Sequence, residues 1–143
     1  MKSTARNGAL DAYRQVGLHS GANGADPHQL VCMLMDGALE RVALAKGALQ
    51  RGDVAARGTL IGQAMTIVDG LNGCLDSAAG GELAVNLGGL YDYMLRRLLQ
   101  ANRGADPGAL DEVATLLGEI REAWVAIPSP VRVEHAAVAG ARV

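Results

Sequence analysis

The sequence predicts an all-α protein, an antiparallel four-helix bundle with a short N-terminal helical cap segment, and three observations carry that expectation. Four stretches repeat apolar residues at steps of three and four. Helix start and stop chemistry brackets each stretch, and the links between them are only a few residues long. Helices of about 20 residues joined so tightly must double back on their neighbours. No segment sustains an alternation of period two, so strands are not expected.

Asp26-Pro27-His28-Gln29 opens the first helix, with Asp26 as N-cap, Pro27 at the first helical position and Gln29 where a capping box places Glu or Gln. Leu30, Leu34, Ala38, Val42, Ala45 and Leu49 then line one face until Gly52 stops the run. Asp53 caps the second helix at once. Its seam is Ile61, Ala64, Val68, Leu71, Leu75 and Ala78, with Leu60, Ile67 and Cys74 beside it, and Gly80-Gly81 is expected to end it. The third helix is expected from about Glu82 to Arg103, with Leu83, Leu87, Leu90, Met94, Leu98 and Ala101 on one stripe and Tyr91, Leu95 and Leu99 on an adjoining one, closed by Gly104. Asp106-Pro107 repeats the Asp26-Pro27 chemistry and starts a fourth helix with the seam Leu110, Val113, Leu117, Ile120, Trp124 and Ile127, finished by Pro128 and Pro130. The expected organisation is thus a flexible segment 1–25 with a short helix near Ala9 to Leu18, a bundle over 26–128, and a flexible tail 129–143.

Composition bounds what such a bundle can do. The chain has 143 residues, 50% hydrophobic but only 3% aromatic, with one Trp, three Tyr and no Phe, which suits a single aliphatic core. Thirteen basic against fifteen acidic residues give a formal charge of −2, so neither a nucleic-acid partner nor a polybasic membrane anchor is expected. No apolar run approaches the roughly 20 residues of a membrane span, and no apolar h-region follows the start, so no membrane insertion and a cytosolic location are expected. Cys32 and Cys74 sit inside apolar helical runs and read as small reduced core residues.

Catalysis finds no constellation. His19, His28 and His135 fall in a linker, a first helical turn and a tail, read as surface histidines, and none has a second ligand at helical spacing. Glu40, Asp92, Glu112, Glu119 and Glu122 fall on polar faces without the Glu-x-x-His pair of a di-iron bundle. Gly80-Gly81 and Gly88-Gly89 follow no strand and precede no Gly-Lys-Ser/Thr, so they read as helix punctuation and close helix contact. No metal, cofactor or enzymatic activity is expected. What remains is surface for another protein: the helices carry more apolar positions than a narrow seam needs. These either widen the core or cover a terminal segment, a second copy in a homodimer, or a partner.

One stretch of the third helix is more specific. Gly80 to Leu87, then Leu90-Tyr91-Asp92-Tyr93-Met94 and Arg97-Leu98-Leu99-Gln100-Ala101-Asn102, resembles the flagellin-specific secretion chaperones, the FliS family. Pro27-His28-Gln29-Leu30 with Met33 to Leu39 is similar to that family's first-helix signature, Trp124 to the Trp of its last helix, and Tyr13 to the Tyr ahead of its bundle. The likeness covers about residues 10 to 127. It departs at Met35, where an aromatic is common, in the long Gly-rich linker between Tyr13 and Pro27, and in the tail beyond Pro128. The resemblance implies a cytoplasmic chaperone that binds the disordered C-terminal region of flagellin, prevents premature polymerisation and delivers it to the flagellar type III export gate. A second reading is a helical adaptor for another regulator of flagellar assembly.

The matched positions imply partner contacts at Tyr13, Leu87, Tyr91, Tyr93 and Met94. Tyr91 and Tyr93 stand about 200° apart on a helix, so only one of them can face the core. Leu10, Tyr13 and Val16, ahead of a Gly-rich linker and without another apolar partner, are expected to cap the groove when cargo is absent.

Overall fold

The computed structural model describes residues 27–75 and 77–127, which form four helices: α1 (Pro27–Gln50), α2 (Val54–Gly73), α3 (Ser77–Gly104) and α4 (Pro107–Ala126). The expected Asp26 cap, the cap helix with Leu10, Tyr13 and Val16, and the tail 129–143 lie outside the described residues. Each helix packs on its neighbours in sequence and α4 closes the ring against α1, giving the four-helix bundle; among the described residues there is no strand. Cross-links from one end of a helix to the opposite end of the next make the neighbours antiparallel: Arg57 at the start of α2 bonds Asn102 at the end of α3, and His28 at the start of α1 bonds Trp124 near the end of α4.

Two links use one device. After α1, Gly52 takes a left-handed φ of 74°, the Asp53 N–H reaches Ala48 O at 2.9 Å and the Gly52 N–H reaches Leu49 O at 3.1 Å, a Schellman closure. After α3, the Asp106 N–H reaches Ala101 O at 3.2 Å, but the left-handed residue is Ala105, φ 49°, and not Gly104, which remains inside the helix. Asp53 and Asp106 then turn round to cap the following helices, accepting from Ala56 N–H at 3.1 Å and Gly108 N–H at 2.9 Å. One residue ends one helix and starts the next, which is why the links are so short.

The α2–α3 link departs from expectation. Helix α2 ends at Gly73, with the Cys74 N–H shared between Gly70 O and Leu71 O, so Leu75 lies in the connection and Ala78 in α3. Gly70, Asn72 and Gly73 crowd the last turn with poor helix formers, and this run outweighs the heptad spacing beyond it. Gly80-Gly81 instead marks a kink within α3, where Gly81 has φ 56° and ψ −133°, a region open only to glycine.

The core is aliphatic around two large rings, Trp124 and Tyr91. The expected faces of α1 and α4 point inward: Leu34, Ala38, Val42 and Ala45 are buried with Leu110, Val113, Leu117 and Trp124. The flanking Ile67 of α2, and Cys74 just past its end, are buried beside Ile61, Ala64, Val68 and Leu71, so part of the apolar surplus does widen the core. Cys32 is half-buried against it, and no disulfide joins the two cysteines.

Helix α3 is turned from its expected phase. The inward stripe is Ala84, Leu87, Tyr91, Met94, Leu98 and Ala101, whereas Leu83 and Leu90 stand at the surface. Both sets have heptad spacing, and the more hydrophobic one is not the one that fits between the neighbouring helices. His28 likewise departs from a plain surface residue. Its ring stacks on Trp124 at 4.8 Å, its Nε2–H donates to Trp124 O at 3.1 Å, and Trp124 Nε1–H donates to His28 O at 3.2 Å.

Candidate docking surface between α3 and α4

The phase of α3 decides what its surface offers. At 100° per residue, Leu83 and Leu90 fall on the side of α3 that carries Tyr93 and Arg97, which bond Glu112 of α4; both leucines are exposed, and Leu87 is half-buried against the core beside them. By the same spacing, Leu116 and Ile120 lie on the side of α4 that carries Glu112, with Ile127 just past the helix end, each half-buried against the core. Antiparallel register carries Leu90 toward Leu116, Leu87 toward Ile120 and Leu83 toward the last turn of α4. The result is an apolar strip along a seam that packs less extensively than any other pair of neighbours in the ring.

One end of the strip is polar. Tyr93 Oη–H donates to Glu112 Oε2 at 2.8 Å, and Arg97 Nε–H donates to Glu112 Oε1 at 2.5 Å, so one carboxylate of α4 ties two successive turns of α3. Arg97 also donates to Gln100 Oε1 at 2.7 Å, and the Arg96 guanidinium lies 5.8 Å from the centre of the Tyr93 ring. The Tyr93 hydroxyl and then the Arg97 guanidinium hold the Glu112 carboxyl below its ordinary pKa. The same hydrogen bond to Glu112 raises the Tyr93 phenol.

The sequence-predicted residues fall into three groups. Tyr93 and Leu87 lie half-buried at the seam. Tyr91 and Met94 are fully buried behind it, so one tyrosine of the pair points in and the other does not, as a 200° separation requires. Tyr13, with the cap residues Leu10 and Val16, lies outside the described residues. Tyr91 has a further property: its hydroxyl is buried with no hydrogen-bond partner, and burial pushes its pKa far above that of an ordinary phenol. Sequence reasoning missed Leu83, Leu90, Leu116 and Glu112 as parts of one surface. Tyr93 and Arg97, one turn apart, were the available signal that a single opposite carboxylate could serve both.

Among the described residues no cluster of three His, Cys, Asp or Glu side chains is placed to hold a metal ion. No described helix is long and apolar enough to cross a membrane. The arrangement can bind an apolar helical segment, with polar groups at one end to fix its register.

The family model for the flagellar protein FliS matches residues 9–130. The chain is 47% identical over 116 residues to the flagellar secretion chaperone FliSB of Pseudomonas aeruginosa, covering 81% of this chain and 92% of that protein. It is 49% identical over 116 residues to the flagellar secretion chaperone FliS of Salmonella typhimurium, covering 80% and 86% of the two chains. The corresponding protein of Vibrio cholerae is 42% identical over 121 residues, covering 85% and 89%. A four-helix bundle with an apolar seam and a match of this extent has one family assignment: the chain belongs to the FliS family of flagellar secretion chaperones, which are not enzymes.

Proposed function

We propose that the chain binds the disordered C-terminal region of flagellin in the cytosol, keeps it from polymerising and hands it to the flagellar type III export gate. The observation that carries this reading is the apolar strip in which Leu83 and Leu90 are exposed and Leu87, Leu116, Ile120 and Ile127 are half-buried, so that the bundle's own packing covers it only in part. A disordered segment can lie along such a strip as short amphipathic helices, burying leucines that water otherwise meets. Ordering it costs a few kcal/mol, about 2–5, so the complex stays releasable. Leu87 and Tyr93 are the direct contacts in this account, and Tyr91 and Met94 form the floor that sets the strip's depth. Tyr13, with Leu10 and Val16, covers the strip when cargo is absent, and two free copies would pair through the same surface.

Calorimetry of the full chain with flagellin's C-terminal segment tests the reading. Coupled folding and apolar burial require a large negative heat-capacity change at one-to-one stoichiometry. No binding, together with retention of a different flagellar regulator from cytosol, would establish the adaptor reading instead.

A further inference from the structure

The fastenings of α3 are unevenly placed along its length. From Asp92 onward the helix is held on both sides: Asn72 Nδ2–H donates to Asp92 Oδ1 at 2.8 Å, Arg57 bonds Asn102, and Tyr93 and Arg97 converge on Glu112. Between Glu82 and Leu90, among the described residues, no side-chain hydrogen bond or ion pair joins α3 to α2 or α4. This stretch buries one small side chain, Ala84, and half-buries Leu87 and Gly88. It begins at the Gly81 kink and ends in Gly88-Gly89, two adjacent residues that each weaken a helix interior by about 1 kcal/mol. Space also exists for the helix to be stiffened there: a Cβ at Gly89 would meet nothing within 4 Å, and one at Gly88 would make only ordinary contacts with Asn72 and Leu75.

We propose that Glu82–Gly89 is a movable arm of the docking surface, and that Glu112 is the positioning residue that fixes its root. The arm opens between the Gly81 kink and Gly88-Gly89, and Glu112, by holding Tyr93 and Arg97, stops the opening from spreading along α3. Opening swings Leu83 and Leu87 away from α4 and widens the strip, so the seam adjusts to a helix entering it. This rests on the α3–α4 strip being the cargo site, but the motion belongs to the free protein and can be measured without cargo.

Hydrogen exchange on the full chain alone reads it. Amides of Val85 to Leu90 should exchange at least about tenfold faster than those of Met94 to Ala101, after correction for intrinsic rates. Gly89→Ala should slow the arm about fivefold, the equivalent of its helix-propensity gain. Glu112→Ala should extend fast exchange to Tyr93–Arg97 while α1 amides stay unchanged, and Tyr93→Phe, which removes one of the two bonds without disturbing the bundle, should do so more weakly. Equal protection along α3, or fast exchange in the arm that Gly89→Ala does not alter, overturns the arm. If both Glu112→Ala and Tyr93→Phe leave Tyr93–Arg97 as protected as in the parent, the positioning role of Glu112 falls. Absence of flagellin binding with this exchange pattern intact would overturn the functional reading alone.

Discussion

Helix α4 meets its two neighbours in different ways. Its edge against α1 is fastened at three levels along its length: Asp111 with Lys46 at 2.7 Å, Arg121 with Asp36, and Trp124 with His28 through a ring stack and two reciprocal hydrogen bonds. Among the described residues, its edge against α3 is fastened by side-chain hydrogen bonds only in the half nearer the α3–α4 link, where Glu112 takes both Tyr93 and Arg97. Beyond that point the contact is leucine and isoleucine, part of it exposed; Leu90 retains 37% of its surface. In the proposed reading, this difference keeps one seam closed and leaves the other open to a partner. Polar groups with fixed geometry specify which helices stay together, whereas a purely apolar seam accepts any apolar helix of suitable shape.

The largest effect should come from breaking the closed edge. Trp124→Ala removes the largest buried ring and the His28 lock together, and should cost about 3–5 kcal/mol in urea unfolding. A loss below about 1 kcal/mol would mean that the α1–α4 edge is not what closes the bundle. Tyr91→Phe tests the floor of the other seam: it deletes a buried hydroxyl that has no partner and keeps the ring, so stability should hold or rise by about 1 kcal/mol. A marked loss would show that the hydroxyl is satisfied in solution. At the fastened end of the α3–α4 seam, Ala105→Gly relieves a left-handed alanine and should raise stability by about 0.5–1 kcal/mol.

The smallest effect belongs to the clasp itself, which is half-buried at the bundle surface and is read from its pH dependence. The folded-state pKa of Glu112 lies below its unfolded value, so its stabilising contribution is present above the usual glutamate range and is lost as pH falls through the folded value. Tyr93 is shifted the opposite way, up from 10.0, so its contribution is present below the usual phenol value and is lost as pH rises through the folded one. The difference in stability between the parent and Glu112→Gln should therefore be constant across neutral pH and shrink at both extremes. A difference that grows on acidification would contradict the clasp.

The parts of this structure written locally were legible in the sequence. Asp53 and Asp106 are at once the end of one link and the cap of the next helix, and the α4 seam from Leu110 to Ile127 reads directly from its spacing. What was not legible depends on groups distant in sequence. The phase of α3 was ambiguous because Leu83/Leu90 and Ala84/Tyr91 share a heptad spacing, and only the fit against α2 and α4 chooses the smaller and more polar pair. His28 looked like a surface residue because its partner stands 96 residues away. Glu112 looked like part of a solvated face for the same reason: its role arises from two side chains on another helix. At the α2–α3 corner local chemistry misled, since Gly80-Gly81 reads as a stop and serves as a kink.

The central claim is that flagellin's C-terminal segment enters the seam between α3 and α4. Methyl-resolved NMR of the full chain titrated with that segment tests it most directly. The methyl signals of Leu83, Leu87, Leu90, Leu116, Ile120 and Ile127 should shift and saturate together, while those of Leu44, exposed on α1, stay in place. Saturable shifts at Leu44 with the α3–α4 methyls unmoved would contradict it.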